Sequence, residues 1–261
     1  MSVRPVVLAV AGYDPSSGAG VTADIKTIAA HGCYGITCIT ALTVQTTQGV
    51  SGVETVRAEV VRRTLQALAG DFEIAAVKVG MLGNSEVARE VAAFLERVQV
   101  RNVVVDPIVK SSSGANLIDD EGQRVLRKRI VPLASVVTPN DAEALALTGE
   151  RDRRRAAEKF HVMGARNVVI TGGDQNDAVD LLFDGEQIEE LREKKIESSS
   201  THGTGCAFST AIACELAKGA SVREAVIAAK RYVTEAIRAA EKLGKGRGPV
   251  EHFHRGDLRI G

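Results

Sequence analysis

Residues 200–219 read STHGTGCAFSTAIACELAKG, a turn rich in glycine and hydroxyl side chains that leads directly into an Ala-rich apolar segment. The pattern predicts a loop followed by a buried helix that ends at Gly219, with Cys206 at the start of the helix. A structural turn needs only glycine and a capping hydroxyl, so the thiol requires another explanation. The segment therefore predicts a helix N-terminus that binds an anion such as phosphate.

The chemistry of this turn depends on its backbone amides. If the helix begins there, those amides stabilise negative charge that develops during group transfer, and they belong to Gly203, Thr204, Gly205 and Cys206. The same field is expected to lower the pKa of the Cys206 thiol. Cys206 is then a candidate general base toward a substrate hydroxyl that attacks a phosphoryl group. The alternative is a simple helix cap with Cys206 as a small buried residue, and the chemistry alone leaves both open.

Outward from this segment, apolar strands alternate with periodic helices along most of the chain. The strands are predicted at residues 6–12, 36–42, 75–81, 102–106, 135–140 and 167–171. Their near-continuous Val and Ile content is typical of parallel strands covered by helices on both faces. Residues 179–191 instead predict an antiparallel hairpin with Asp184 and Gly185 at its tip. We expect one three-layer α/β domain over residues 1–261, with a mostly parallel central sheet and a small antiparallel hairpin.

Composition excludes several classes of protein. The chain has 261 residues, 44% of them hydrophobic, and its 33 basic and 33 acidic residues give a formal net charge of zero. This balance argues against nucleic acid or an anionic membrane as a partner. Four cysteines without zinc-ligand spacing predict reduced thiols and a cytoplasmic location. The apolar start is too short for a signal peptide, and no apolar run is long enough to span a bilayer.

Two further motifs resemble parts of nucleotide-binding sites, and only the second is consistent with the surrounding sequence. Residues 18–23 match the Gly-x-Gly-x-x-Ala dinucleotide pattern, but no acidic residue ends the second strand, so a nicotinamide cofactor is not expected. In TPNDAE, Asn140 and Glu143 share one face of a starting helix. Such a pair can hold Mg²⁺ through water beside nucleotide phosphates, although the same spacing is also that of an ordinary helix cap.

Together these segments resemble the ribokinase-like superfamily, and within it the hydroxymethylpyrimidine/phosphomethylpyrimidine kinases of thiamine biosynthesis. The resemblance covers about residues 8–254. It is carried by AGYDPSSGAGVTADIKT, GITCITALTVQTT, VKVGML, VVVDPIV, TPNDAEAL, THGTGCAFSTAIA and GKGRGPVEHFH. THGTGC before an Ala-rich helix is the most specific of these, because most of the superfamily carries Asp where this branch carries Cys.

The resemblance implies a role for individual residues. Asp24 and Gln45 are expected to hydrogen-bond an aminopyrimidine ring, Met81 to pack on it, and Gly12 to approach its hydroxymethyl group or phosphate. Asp106 and Glu143 are expected to face Mg²⁺, and Thr201 to Cys206 to form the anion hole. The nucleotide-binding residues are then Asp106, Lys110, Asn140, Thr171, Gly173 and Thr201.

The implied reaction is transfer of the γ-phosphoryl group of ATP·Mg²⁺ to the pyrimidine's hydroxymethyl oxygen, and then to the monophosphate. The resemblance also implies a homodimer. Three departures bear on the reaction: Thr171 and Ser112 stand where the family usually has lysines, and Thr46 stands for Asn. Two alternatives therefore stay open, a pyridoxal or pyridoxine kinase of the same branch and a weakly active pyrimidine-binding sensor.

Overall fold

The computed structural model describes residues 4–111, 114–172 and 178–254, and its centre is a nine-stranded sheet. The strands are β1 (Val6–Tyr13), β2 (Tyr34–Thr46), β3 (Gly49–Thr55), β4 (Ile74–Val79), β5 (Asn102–Val105), β6 (Val136–Val137), β7 (Val168–Ile170), β8 (Ala178–Phe183) and β9 (Ile188–Glu193). Their order across the sheet is β3-β2-β1-β4-β5-β6-β7-β8-β9.

The helices flank this sheet. They are α1 (Gly20–Ala30), α2 (Ala58–Asp71), α3 (Ser85–Val98), α4 (Asp120–Val125), α5 (Asp141–Thr148), α6 (Arg153–Val162), α7 (Thr204–Ala217) and α8 (Val222–Arg238). A π-helical turn and a 3₁₀ turn continue α4 to Leu133. Among the described residues, no helix is long and apolar enough to cross a membrane.

The expected mostly parallel α/β architecture is confirmed. Strands β2, β1, β4, β5, β6 and β7 pair in parallel, and β8 and β9 form the antiparallel hairpin that the sequence predicts. At the other edge, β3 pairs antiparallel with β2, which the sequence reading missed. The turn of this β2–β3 hairpin lies in the polar stretch VQTTQGVSG, whose composition gives little indication of a strand.

Alternation along β1 shows how the three layers form. Leu8 and Val10 are fully buried against α2, α3, α4 and α6, whereas Val7 and Ala9 are fully buried against α1, α7 and α8. Because a strand's side chains alternate between faces, a run of Val, Leu and Ala fills both cores. Each Val or Leu buried in this way contributes about 1.5–3 kcal/mol, and the sheet is thereby fixed between two helical layers.

Capping side chains determine where helices α5 and α8 begin. Asn140 accepts from the backbone N–H of Glu143 at 2.9 Å, and the Glu143 carboxylate accepts from the Asn140 N–H at 2.9 Å. Ser221 and Glu224 form the same reciprocal box at the start of α8, as the sequence predicts. These caps satisfy N–H groups that a helix start would otherwise leave unpaired.

Candidate active site

The carboxyl ends of the parallel strands open into a cleft of about 990 Å³, part of which is open to solvent. This edge is where open α/β sheets bind ligands. The cleft brings together most of the residues that the sequence predicts, namely Gly12, Gln45, Met81, Asp106, Lys110, Asn140, Glu143, Thr171, Thr201, Gly203, Thr204, Gly205 and Cys206. Gly173 lies outside the described residues.

The glycine-rich turn forms the N-terminus of α7 as predicted. Gly203 precedes the helix with a φ of 81°, and a Cβ at this position would lie 1.7 Å from the carbonyl oxygen of Gly18. Only glycine fits both the positive φ and this close approach. The turn therefore carries the first amides of α7, which have no intrahelical acceptor, into the cleft.

Cys206 lines the cleft, but its expected thiolate character is wrong. Burial raises the pKa of the Cys206 thiol to about 12, and the negative charges of Asp106 and Asp24 add to this effect while Lys78 opposes it. The side chain is 8% exposed, so loss of solvation outweighs the helix dipole. The resting thiol is consequently neutral, and a catalytic role for Cys206 stays a prediction.

Asp106 and Glu143 form a pair of buried carboxyl groups beside Cys206. Asp106 follows β5 and accepts from Ser209 Oγ at 3.3 Å, whereas Glu143 lies in the first turn of α5. Burial and the nearby charge of Asp106 raise the pKa of Glu143 to about 8, and burial likewise raises the pKa of Asp106. Two such carboxyl groups are poised to accept a cation, because a cation removes their mutual repulsion.

The donor set fits a hard cation such as Mg²⁺. In the described part of the chain, no cluster of three or more His, Cys, Asp or Glu side chains is arranged to hold a metal ion. Asp106 and Glu143 would therefore share a cation with phosphate oxygens and water, which is how Mg²⁺ is commonly bound.

Asp24 does not belong to the ligand-binding surface, and the prediction that it binds the pyrimidine ring is wrong. It is fully buried and accepts from Lys78 Nζ at 3.0 and 3.1 Å and from Thr210 Oγ1 at 2.7 Å. Lys78 is also fully buried in β4. Burial acts to lower the pKa of Lys78, but the negative charges of Asp24 and Asp106 raise it overall, so Lys78 stays a cation.

The other end of the cleft has an apolar wall and an amide. Met81 and Leu117 pack together on Ala41, and Ile108 packs against this cluster. Gly12 leaves room for the wall, since a Cβ there would lie 2.8 Å from Met81 Sδ. Gln45 lines the same cleft. A flat heteroaromatic ring suits this combination, because the wall contacts its face and the amide can donate and accept at its edge.

Asp14 and His202 hold this end of the cleft together, and the sequence reading gave Asp14 no role. Asp14 accepts from the backbone N–H of Ala19 at 2.9 Å and lies 2.8 Å from His202 Nε2. Although burial acts to raise it, hydrogen bonds from His202 and Ser16 hold the pKa of Asp14 below its usual value. His202 Nε2 also lies 3.1 Å from Gln45 Nε2, which places the amide beside this pair, although the nitrogen that donates to Asp14 cannot also accept from Gln45.

The nucleotide end carries fewer cations than the family pattern implies. Thr171 lines the cleft and its N–H donates to Pro139 O at 2.9 Å, while Lys110 supplies a cation after β5. Behind them, Asp180 accepts from Gly172 N at 2.9 Å and from Lys230 Nζ at 2.7 Å. Ser112, the other departure, lies outside the described residues.

The three-layer fold with a mostly parallel sheet, the glycine turn that begins α7 and the adjacent carboxyl pair are typical of the ribokinase-like class of small-molecule kinases. The family model for phosphomethylpyrimidine kinase matches residues 14–251. A hydroxymethylpyrimidine/phosphomethylpyrimidine kinase of Rhizobium meliloti is 44% identical over 260 residues, which cover 96% of this chain and 97% of that protein. The chain belongs to the phosphomethylpyrimidine kinase family.

Two further relatives show the range of the family. A thiamine biosynthesis bifunctional protein of Geobacter sulfurreducens is 47% identical over 96% of this chain, and the chain spans 52% of that longer protein. A pyridoxal kinase of Bacillus subtilis, solved as an ADP complex, superposes with a TM-score of 0.88 at 36% identity and covers 96% of this chain and 98% of that one. The same fold therefore serves kinases of two ring-bearing alcohols.

Proposed function

We propose that this protein transfers the γ-phosphoryl group of ATP to 4-amino-5-hydroxymethyl-2-methylpyrimidine and then to the resulting monophosphate, in thiamine biosynthesis. The observation that carries the proposal is that one cleft combines the α7 N-terminus, the Asp106–Glu143 pair and the Gln45 amide opposite an apolar wall. Phosphoryl transfer depends mainly on positioning and charge stabilisation, which are what these groups provide.

In this mechanism, the amides of Gly205 and Cys206 stabilise the charge on the migrating phosphoryl group. Cys206 lies beside them and is the residue we assign to the proton of the acceptor hydroxyl. Its pKa of about 12 means that the thiol is neutral before the ligands bind. A thiol that still carries its proton cannot accept another, so Cys206 must first release its own proton to solvent. Positive charge in the loaded site would favour the resulting thiolate by offsetting Asp106, and the thiolate would then take the hydroxyl proton.

Ring recognition rests on the opposite end of the cleft. Gln45 would pair with the amino group and a ring nitrogen of the pyrimidine, and Met81 would contact the ring face. The Gln45 amide lies beside the Asp14–His202 pair, and its Oε1 is 3.1 Å from Thr43 Oγ1. Lys110, Asn140, Thr171 and Thr201 border the space that we assign to the nucleotide, with Gly173 as a further candidate.

Mg²⁺ is the cation we assign to Asp106 and Glu143. When bound with the nucleotide, it would neutralise phosphate charge, and the two carboxyl groups would fix its position. We also propose that the chain acts as a single kinase domain in the cytoplasm and assembles as a homodimer. Gel filtration coupled to light scattering tests the last point directly.

Pyridoxal is the second candidate acceptor. It is favoured by the likeness to the pyridoxal kinase of Bacillus subtilis and by a cleft whose ring contacts are one amide and an apolar wall. Both acceptors are flat heteroaromatic rings that carry a hydroxymethyl group, so the described contacts fit either ring.

The deciding experiment compares ADP release with the pyrimidine alcohol, its monophosphate and pyridoxal under saturating Mg·ATP. We expect the highest kcat/KM with the pyrimidine alcohol. A value at least about tenfold higher for pyridoxal, equivalent to about 1.4 kcal/mol, would reverse the ranking. Pyrimidine binding by calorimetry without ADP release would instead identify a sensor.

A further inference from the structure

The segment Gly244–Gly248, with the sequence GKGRG, is pressed against the rim of the cleft. A Cβ at Gly246 would lie 2.1 Å from Thr47 O, and a Cβ at Gly248 would lie 2.8 Å from Ser200 Oγ. Alternate glycines therefore allow the backbone to approach the β2–β3 turn and the loop before α7. We call residues 244–248 the basic arm, because the two residues between the glycines are Lys245 and Arg247.

Hydrogen bonds tie the basic arm to both neighbours. The backbone N–H of Arg247 donates to Thr47 O at 2.8 Å, and that of Gly248 donates to Ser199 O at 3.0 Å. The His202 N–H in turn donates to Gly248 O at 2.9 Å. The arm thus has a fixed position relative to the loop that begins the anion hole, and its side chains are presented from a rigid backbone.

Arg247 is the arm residue that reaches the cleft. Its Nε donates to Thr201 Oγ1, and its side chain lines the cleft together with Gln45, Val50 and His202, which also line an adjoining side groove. Lys245 lines the side groove only. In the part of the chain that the structure describes, the terminal nitrogens of Arg247 make no hydrogen bond, so their N–H groups are free to bind a ligand.

The charges that line the cleft indicate why a cation at position 247 is important for an anionic ligand. Among the described residues that line the cleft, two carry a permanent positive charge, Lys110 and Arg247. Three carry a carboxyl group: Asp14, Asp106 and Glu143. Arg247 borders the Gln45 end, where the acceptor ring is assigned, and Lys110 follows β5. An anionic acceptor entering this cleft meets carboxylates and the nucleotide phosphates, so it needs a cation of its own.

We propose that Arg247 binds the phosphate group of the monophosphate acceptor and thereby permits the second phosphorylation; this inference rests on the proposed function. Arginine matches two phosphate oxygens with parallel N–H donors. An oxygen of the acceptor phosphate forms a bond to the γ-phosphorus as the bond between γ-phosphorus and the bridging oxygen of ADP breaks. The fully ionised phosphate carries no proton on the attacking oxygen, and ADP leaves with the bond electrons.

The uncharged alcohol of the first step has no group for Arg247 to bind. The proposal therefore predicts a split between acceptors that a merely structural arginine would not produce. Loss of arm packing would lower both activities together, and a contact to ATP would raise the KM for ATP in both reactions.

The test measures kcat/KM for both acceptors in the wild type, Arg247→Gln, Arg247→Lys and Lys245→Gln. Arg247→Gln should lower the value for the monophosphate by about 30-fold or more, as expected for a lost charge-assisted pair, and that for the alcohol by less than about threefold. For Arg247→Lys, kcat/KM for the monophosphate should lie between the values for the wild type and Arg247→Gln. Lys245→Gln removes the same charge two positions away and should alter neither value by more than about threefold.

Equal losses for both acceptors, no loss with Arg247→Gln, or a matching loss with Lys245→Gln would overturn the proposal. So would a raised KM for ATP with both acceptors. If the wild type phosphorylates the alcohol but the variants give one of these results, only the assignment of Arg247 is overturned and the proposed function stands. If the wild type phosphorylates neither acceptor, the proposed function and the assignment of Arg247 are both overturned.

Discussion

Two buried groups of charged residues lie near the cleft, and in only one of them is the carboxyl group paired directly with a cationic side chain. We call the paired group complete and the other incomplete. Asp24 is matched by Lys78 at 3.0 Å and by Thr210, with all three side chains fully buried. Asp106 accepts from Ser209 and Cys206, and Glu143 accepts from the Asn140 amide. Within the described residues neither carboxyl group forms a direct ion pair, although the charge of Lys78 acts to lower the pKa of Asp106. A matched charge stabilises the fold, whereas an unmatched pair is available for a ligand.

The contrast also explains the incorrect assignment of Asp24. Asp24 lies in α1 and Asp106 follows β5, and the family resemblance placed Asp24 on the ring. The structure places Lys78 of β4 beneath Asp24, a partner 54 positions away in the sequence. Charge compensation of this kind depends on the tertiary fold, which local residue patterns do not reveal.

The largest effect is expected from breaking the complete pair. Lys78→Met leaves the Asp24 carboxyl buried without its cation and should destabilise the protein by about 3–5 kcal/mol in urea unfolding. The double variant Asp24→Asn with Lys78→Met removes both charges and should recover at least half of this loss. Full stability of the single variant would contradict the structural role of the pair.

The next effect concerns the thiol beside the incomplete pair. Cys206→Ala should lower kcat for the pyrimidine alcohol by about 100-fold, the lower end for general base catalysis, with the ring's KM changed less than about threefold. Cys214→Ala, a change in the same helix away from the cleft, is the matched control and should keep kcat within about twofold. An unchanged kcat for Cys206→Ala would return the thiol to a packing role.

The incomplete pair also predicts a pH dependence of stability. The pKa of Glu143 is raised to about 8, so the folded state holds a proton that the unfolded state has already lost. The stabilisation is fully present below the unfolded pKa and is lost as pH rises through about 8. Without nucleotide, the free energy of unfolding should fall by about 2 kcal/mol between pH 6.5 and 8.

Thermal unfolding across this range checks the slope. Glu143→Gln should flatten it because the titrating group is gone, and Glu158→Gln is a control at an exposed position in the neighbouring helix α6. A slope that persists in Glu143→Gln would assign the titration to another group.

The smallest effect is expected at the ring end, where the neutral Gln45 amide is the group changed. Gln45→Leu should raise the KM for the pyrimidine about tenfold, because buried ring atoms lose a hydrogen-bonding partner. The KM for ATP should stay unchanged. Replacement of the exposed Gln48 by Leu, on the same hairpin, tests whether added apolar surface alone has any effect. An unaltered pyrimidine KM in Gln45→Leu would mean that the ring binds elsewhere.

Much of the architecture follows from sequence pattern because β1 and β5 are largely continuous apolar runs and α8 carries its own capping box. The glycine turn that begins α7 was equally predictable, since Gly203 and the Ala-rich helix are adjacent in the chain. Strand β3 was not, because its stability comes from pairing with β2 rather than from apolar periodicity. The Cys206 pKa was misjudged for a similar reason: burial under α1 and near Asp106 is a property of the fold.

The central claim is that phosphoryl transfer occurs between the first amides of α7 and the Asp106–Glu143 pair. A crystal structure with ADP and the pyrimidine monophosphate tests it most directly. The account predicts the product phosphorus about 4 Å from the backbone nitrogen of Gly205 or Cys206, the distance that an amide–phosphate hydrogen bond requires. A phosphorus atom more than about 8 Å from both nitrogens, beyond contact range, would contradict it.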